Sequence, residues 1–220
     1  MTNDIRKFGV DNADVYWCNR QKDNRVTERR LHRFLRDIAD QLAPQGGKVL
    51  DCGMGAGHVF RLCSEKHETY GVEMSSRAIA MYDFPVGNVR QADLNDGVPY
   101  FPVKFDVIIL SMVLHWLDDP EKFIRNIPKN LSPNGRVVVV IPNITNYHYR
   151  IGFLFGAFPP ISPSHKNFQT PREVEQMFKN TDCLIEQVLS PKKALKTKLW
   201  PRLFSTDIVY VLKPNSSTYF

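Results

Sequence analysis

Several features that would narrow the function at once are missing from this sequence. No two of its four cysteines (Cys18, Cys52, Cys63 and Cys183) have C-x-x-C spacing, and four is few for a disulfide scaffold. We therefore expect buried free thiols in a reducing compartment. The first twenty residues contain no apolar segment typical of a secretory leader, and "IGFLFGAF" is far shorter than the ~18 apolar residues of a spanning helix. These absences predict a cytoplasmic protein without a transmembrane segment.

The charge is moderately basic, with a formal net charge of +6 over 220 residues. The cations are spread over "RVTERRLHRFLR" and "PKKALKTKLWPR", which is typical of solvated helix faces and a loop. A nucleic-acid or anionic-membrane patch is the alternative interpretation. Because no zinc-finger, helix-turn-helix or RNP-type motif is present, we expect no dedicated nucleic-acid module.

The pattern of apolar runs predicts alternating strands and helices. Residues 1–24 are polar and irregular, and an amphipathic helix is expected from Thr27. Strands are expected at 48–51, 69–73, 88–94, 105–111, after "LSPNG", at 183–190 and at 207–213. Helices are expected after the first, second and fourth strands and at 171–179, with Pro128 shortening the one before "LSPNG". This order indicates a mostly parallel sheet with helices on both faces, and the missing helix before the last strand predicts that this strand is antiparallel.

The stretch "KVLDCGMGAGHVF" places three glycines after a buried strand, at positions 53, 55 and 57. Such a loop lets the chain turn tightly and lets a ligand approach the backbone, although it can also be a plain strand-to-helix turn. A P-loop would require Lys-Ser or Lys-Thr after the glycines, and neither is present. The dinucleotide pattern G-x-G-x-x-G would require glycine at position 58, where this sequence has His58. The spacing therefore weakens the case for NAD without deciding which nucleotide is bound.

Two further acids end predicted strands and favour an adenosine ligand. Glu73 follows "YGV", where a carboxylate can accept hydrogen bonds from ribose hydroxyls. Asp93 ends "QAD" and can accept a bond from an adenine amino group, or it can simply cap a turn. Because the carboxyl ends of parallel strands share one edge of the sheet, both acids should lie near the glycine loop.

These motifs carry a family resemblance. The segments "VLDCGMGAG", "YGVEMS", "QADL", "FDVIILSMVLHWLDDP" and "LSPNGRVVVVIPN" resemble class I S-adenosylmethionine-dependent methyltransferases in order and spacing, closely over about residues 45–145. The resemblance implies a Rossmann-like, doubly wound, mostly parallel seven-stranded sheet with an antiparallel last strand. It also implies one methyltransferase domain over 1–220, with 1–45 as an N-terminal helical cap.

The same resemblance implies roles for nine residues in binding S-adenosylmethionine. The methionine end would lie against Asp51 and the loop, the ribose against Glu73, and the adenine between Met74, Asp93 and Leu94. Ser111 would line the methionine moiety. The complete set is Asp51, Gly53, Gly55, Gly57, Glu73, Met74, Asp93, Leu94 and Ser111.

Methyl transfer requires mainly alignment, so a distinctive catalytic motif is not expected. An oxygen acceptor would benefit from a general base, for which the candidates are His115, His148 and His165. Residues 146–168 combine aromatics, cations and prolines. We predict that this segment is an acceptor-site insertion or lid. A peripheral membrane contact or a protein-partner surface is the alternative.

Three functional hypotheses remain at this point. The first is a methyltransferase acting on the oxygen of a small molecule or glycan, since "YWCNR" resembles methyltransferases of glycan synthesis. The second is a weakly catalytic or non-catalytic cofactor-binding partner protein resembling the MetW type of methionine biosynthesis. The third is an NAD-dependent oxidoreductase, against which His58 already argues.

Overall fold

A computed structural model describes residues 10–23, 26–85, 87–157, 166–167, 169–181, 183–192 and 194–215. The strands are Lys48–Cys52 (β1), Glu68–Glu73 (β2), Val89–Gln91 (β3), Phe105–Ser111 (β4), Leu131–Pro142 (β5), Cys183–Leu189 (β6) and Asp207–Pro214 (β7). The helices are Val10–Lys22 (α1), Arg30–Leu42 (α2), His58–Cys63 (α3), Ser76–Ile79 (α4), Pro120–Asn126 (α5), Tyr147–Leu154 (α6), Pro171–Asn180 (α7), Leu195–Leu199 (α8) and Pro201–Phe204 (α9).

The seven strands form one sheet in the order β3-β2-β1-β4-β5-β7-β6. Strands β1 to β5 pair in parallel, whereas β7 is antiparallel to both β5 and β6. The predicted fold class is therefore confirmed, including the antiparallel last strand. The strand order reverses between β1 and β4, so a crevice opens at the carboxyl ends of these two strands.

Both faces of the sheet are covered, which explains the continuous apolar runs in the central strands. On one face Val49, Val107 and Val138 pack against the apolar side of α2, through Leu35 and Ile38. The alternate residues of the same strands belong to a second buried cluster on the other face. Because neighbouring residues of a strand point to opposite faces, most residues of a strand that is buried on both sides are apolar.

The prediction that residues 1–24 are irregular is wrong for Val10–Lys22, which form α1. The apolar residues of α1 do not repeat at regular helical spacing, so periodicity gives no signal. Long-range contacts hold the helix instead: Asp14 accepts hydrogen bonds from the Ser75 hydroxyl at 2.5 Å, the Ser76 hydroxyl at 3.1 Å and the Arg77 backbone N–H at 3.1 Å. These bonds tie α1 to the start of α4.

Two smaller differences also have local causes. Helices α8 and α9 lie between β6 and β7, where no helix is expected from the sequence, because both are too short to show a periodic pattern. Helix α5 ends at Asn126 and passes into a 3₁₀ turn at Ile127–Asn130, so Pro128 lies in that turn and the shortened helix is confirmed. No helix in the described part of the chain is long and apolar enough to cross a bilayer.

Candidate active site

A cavity of about 610 Å³ lies at the carboxyl edge of the sheet, under α1 and the start of α2. It brings together nine of the residues predicted from the sequence. They are Asp51, Gly53, Gly55, Glu73, Met74, Asp93, Leu94, Ser111 and His115. Gly57 does not line the cavity, and its φ of 73° allows the turn into α3. His165 lies outside the described residues.

The three glycines of the loop after β1 contact side chains of the protein, and Gly53 and Gly55 also line the cavity. Gly53, Gly55 and Gly57 all have φ between 55° and 73°, a region that favours glycine. A Cβ on Gly55 would meet the Trp17 ring at 2.5 Å, and one on Gly53 would meet Val113 at 2.7 Å. The loop therefore requires glycines for two reasons, positive φ and close contact with side chains from other elements.

Glu73 connects the end of β2 to this loop. Its Oε2 accepts a hydrogen bond from the Gly55 N–H at 2.8 Å, and its Oε1 accepts one from the Ser75 N–H at 2.9 Å. Burial raises the pKa of Glu73, while these backbone N–H groups oppose the rise. The carboxylate is thus fixed in orientation at the cavity wall, and each oxygen keeps acceptor capacity for a hydroxyl.

Asp51 is a buried carboxylate that lacks a full set of partners. It is 1% exposed, and its Oδ2 makes no hydrogen bond with any of the described residues. Burial raises its pKa to about 7; the Phe60 backbone N–H opposes this rise, and the negative charge of Glu73 adds to it. A buried, unsatisfied carboxylate oxygen at a cavity is costly unless a ligand supplies a donor or a positive charge.

Asp93 both caps a turn and lines the cavity. Its Oδ1 accepts bonds from the Asn95 N–H at 2.9 Å and from the Asn95 side-chain amide at 3.0 Å. These contacts begin the 3₁₀ turn Leu94–Asp96. The two interpretations of Asp93 from the sequence are therefore compatible, because the capping role uses Oδ1 alone.

The segment after β4 forms the middle of the cavity wall. Met112 has a φ of 60° and is the one non-glycine residue with positive φ in the part of the chain that the structure describes. Such a conformation costs about 1–3 kcal/mol and is concentrated at functional sites. His115 follows in the 3₁₀ turn Leu114–Trp116, and its ring lies 5.3 Å from that of Trp116. The contacts of this segment, including the aromatic packing, therefore hold a strained backbone against the cavity.

Sequence reasoning missed the residues that cover the cavity from α1. Trp17 lies over the glycine loop, and Arg20 lies with its guanidinium 5.8 Å from the centre of the Trp17 ring. Tyr16 contacts the Trp116 ring edge-on, at 5.7 Å between ring centres. In the sequence these residues stand out only as the fragment "YWCNR". Because the sequence does not predict α1, it gives no reason to place this fragment at the site.

Sequence reasoning also missed a second group of polar residues, on the side away from Glu73. Arg29 is the N-cap of α2 and Arg30 its first residue, Lys192 follows β6, and Asp207 begins β7 opposite Pro142 of β5. Burial raises the pKa of Asp207; the Thr206 hydroxyl and the positive charges of Lys192 and Arg29 oppose this rise. Asp207 is separated in sequence from every other cavity motif, so only the fold could reveal it.

The structure does not bring His148 to the cavity. It is exposed in the first turn of α6, with its ring 3.9 Å from that of Tyr147. The segment 146–168 nevertheless borders the site at its far end, because Lys166 and Asn167 donate backbone hydrogen bonds to the His115 carbonyl at 2.9 Å and 3.2 Å.

With this geometry established, comparison with known proteins identifies the family. A family model described as a methyltransferase domain matches residues 20–188. The chain belongs to this family. It is an S-adenosylmethionine-dependent methyltransferase, with S-adenosylmethionine as its cofactor and the Rossmann-like fold of that class.

Solved structures show the same fold at low sequence identity. A SAM-dependent methyltransferase from Archaeoglobus fulgidus is 19% identical and has a TM-score of 0.67, with 91% of this chain and 100% of that chain covered. DhpI, solved in a complex with SAM and HEP, is also 19% identical and has a TM-score of 0.61, with 94% and 99% covered.

Sequence relatives are also distant. The ubiquinone biosynthesis O-methyltransferase of Caulobacter vibrioides is 24% identical over 203 residues, covering 85% of this chain and 79% of that protein. The enzyme of the same name from Rickettsia akari is 27% identical over 89 residues, which is 38% of this chain and 36% of that protein. Both relatives are methyltransferases, in agreement with the family of this chain.

The cavity residues fit the cofactor of the family. The unsatisfied Oδ2 of Asp51 suits a positively charged group, and Glu73 presents a fixed carboxylate to hydroxyl groups. No cluster of three or more potential metal ligands is found among the described residues.

Proposed function

We propose that the chain transfers a methyl group from S-adenosylmethionine to an oxygen of a small molecule. The observation that carries this proposal is the division of one cavity into two chemically different halves. One half contains the acids Asp51, Glu73 and Asp93 at the ends of β1, β2 and β3. The other half is formed by the starts of α2 and β7 and by the loop after β6. A single cavity with two such halves suits a cofactor and an acceptor side by side.

In the first half we assign the roles that the sequence motifs suggest. Glu73 would accept the ribose hydroxyls, and Asp93 with Leu94 would hold the adenine edge beside Met74. Asp51 and the backbone of Gly53 and Gly55 would hold the methionine end, next to Ser111. Support comes from the lining of the cavity by all eight of these residues and from the missing partner of Asp51 Oδ2.

The bound cofactor supplies an electrophilic methyl group on a sulfonium sulfur. The task left to the chain is to orient the acceptor oxygen, exclude water and take up the proton of a hydroxyl acceptor. His115 and Asp207 line the cavity and could accept this proton. Burial raises the pKa of Asp207 above its ordinary value, which makes its carboxylate a stronger base there.

We also propose that residues 146–168 form an acceptor-side cover. The segment starts at the end of β5, where Asn143 and Asn146 are buried and hydrogen-bonded to the backbone. It returns to the cavity at His115, where Lys166 and Asn167 bond to the main chain. Residues 158–165 lie outside the described part of the chain. The exposed Leu154 and Phe155 provide the apolar surface for the alternative role, contact with a membrane or protein partner.

The experiment is a transfer assay with methyl-labelled S-adenosylmethionine and a small-molecule extract of the source cells. We expect label in a small molecule as a base-stable methyl ether, and much less label with the Glu73→Gln variant at a cofactor concentration that does not saturate it. Label confined to protein or nucleic acid would contradict the choice of acceptor. Cofactor binding without transfer to any fraction would favour the partner-protein hypothesis instead.

A further inference from the structure

The acceptor half of the cavity has an unusual concentration of positive charge. Three basic side chains line it, those of Arg29, Arg30 and Lys192. The other cavity-lining carboxylates belong to the cofactor half, so Asp207 is the one cavity-lining acid on this side among the described residues. We call Arg29, Arg30 and Lys192 the cationic wall.

Among the described residues the cationic wall forms no ion pair within 4.0 Å, in contrast to the other arginines of α2, although the charges of Lys192 and Arg29 act on the nearby Asp207 carboxyl. Arg33 pairs with Glu28 at 3.3 Å, and Arg36 pairs with Asp37 at 2.8 Å. Within the described ranges, no carboxylate lies within 4.0 Å of a cationic nitrogen of the wall. Arg33 and Arg36 are thus paired within the chain, whereas Arg29 and Arg30 form no ion pair with a described residue.

The charges at the N-terminus of α2 are also unusual. The first turn of α2 contains no acid, although the helix dipole favours an acid at that position. Arg29 and Arg30 place cations at that positive end instead. A sequence that breaks a local rule at a cavity usually does so for function. An anion bound at the wall would be attracted by both the side chains and the helix end.

Two neutral imidazoles complete this side of the cavity. His32 and His58 stack with their ring centres 4.9 Å apart. Burial, followed by the charges of His58 and Arg29, lowers the pKa of His32 to about 4; burial and Arg61 lower that of His58, against the opposing effect of Glu28. Neither ring nitrogen of His58 makes a hydrogen bond with a described residue. A neutral imidazole can therefore donate an N–H to a ligand without changing the charge of the site.

Resting on the function proposed above, we propose that the cationic wall binds an anionic group, a carboxylate or a phosphate, carried by the methyl acceptor. Guanidinium groups bind both anions through paired hydrogen bonds, and a charged donor strengthens such contacts. The cofactor's own carboxylate is the competing occupant. It is better placed near Arg20, which lies beside the Trp17 ring that covers Gly55, and this leaves the cationic wall for the acceptor.

The test is a calorimetric titration with inorganic phosphate and, separately, with benzoate, on protein saturated with S-adenosylhomocysteine. We expect saturable binding of at least one probe, weakened about tenfold or more by Arg29→Gln and by Lys192→Gln. Arg33→Gln is the matched control, because Arg33 lies on the same helix and pairs with Glu28; it should bind as the wild type does. The histidine pKa values, followed by NMR, should rise when the anion binds, since added negative charge favours the imidazolium.

Three results would overturn the proposal: no saturable binding of either probe to the saturated protein, equal weakening by Arg33→Gln, or, in a parallel titration of cofactor-free protein, probe binding that is lost when S-adenosylhomocysteine is added. The last would assign the wall to the carboxylate of the cofactor. Cofactor binding is measured in the same series. A protein that binds S-adenosylhomocysteine but neither probe contradicts the anion site alone, whereas one that does not bind S-adenosylhomocysteine contradicts the proposed function itself.

Discussion

The Glu73 carboxylate accepts a hydrogen bond from the Gly55 backbone N–H at 2.8 Å, so the acid that ends β2 holds the loop that follows β1. Its other oxygen accepts from the Ser75 N–H, and the Ser75 hydroxyl donates to Asp14 of α1. One carboxylate and one serine thus connect the sheet, the glycine loop and the helix that covers the cavity. A change at either residue should therefore affect all three elements.

Substitution Gly55→Ala should destabilise the protein by about 1–3 kcal/mol, because it combines a φ of 55° with a clash on the Trp17 ring. Chemical denaturation measures the change. Gly46→Ala is the control for φ alone, since Gly46 has a φ of 73° but no atom within 4 Å of the place that a Cβ would take. If the clash with Trp17 contributes, Gly55→Ala lowers the free energy of unfolding more than Gly46→Ala does, and combining it with Trp17→Ala restores part of the difference. Equal losses would contradict the contact with α1.

The affinity for S-adenosylmethionine should fall as the pH drops below about 7. Burial raises the pKa of Asp51 to about 7 in the free protein, and a positively charged ligand favours the ionised form. Below that pH, binding must expel a proton from Asp51, so affinity decreases by up to about tenfold per pH unit. Calorimetry between about pH 5.5 and 8 measures this slope. Asp51→Asn should bind weakly and without the slope; a wild-type affinity that is flat over this range would contradict the role of Asp51.

The same shift predicts how the unliganded protein responds to pH. A carboxyl group with a raised folded-state pKa stabilises the fold while it is protonated, and that contribution decreases as pH rises from the ordinary Asp value toward 7. Thermal unfolding of wild type and Asp51→Asn should therefore diverge as pH increases through this window, with the variant retaining more of its low-pH stability. Parallel pH profiles would show that Asp51 ionises normally in the fold.

Asp207→Asn should lower kcat for an identified hydroxyl acceptor by about 100-fold or more, the usual contribution of a general base. Affinity for S-adenosylhomocysteine should stay within about twofold, because Asp207 faces the acceptor half. The acid limb of the pH–rate profile should also disappear. If His115→Gln removes that limb instead and Asp207→Asn does not, then His115 is the base.

Much of this site could be predicted from the sequence because its residues lie at strand ends. Asp51, Glu73, Asp93 and Ser111 end or follow strands that periodicity identifies, and the parallel sheet brings strand ends to one edge. Asp207 and the cationic wall could not be predicted in the same way. They come from a strand start, a helix start and a loop, which the pairing of β7 with β5 and the packing of α2 on the sheet bring to the cavity.

Helix α1 shows a second limit of sequence reasoning. Trp17 and Asp14 act through contacts with Gly55 and Ser75, which lie far along the chain. The sequence pattern within residues 10–22 therefore does not indicate these contacts. The glycine pattern favours open space for a ligand at position 55, whereas in the structure the Trp17 ring fills the direction of the missing Cβ.

The most direct test of the central claim is a calorimetric titration of the protein with S-adenosylhomocysteine, comparing the wild type with Glu73→Gln. One site per chain is expected in the wild type. The variant should bind at least about tenfold more weakly, because an amide cannot accept bonds from both the loop and the ribose. Glu68→Gln, at the opposite end of β2, is the control and should bind as the wild type does. Absence of binding by the wild type, or full affinity in Glu73→Gln, would contradict the account.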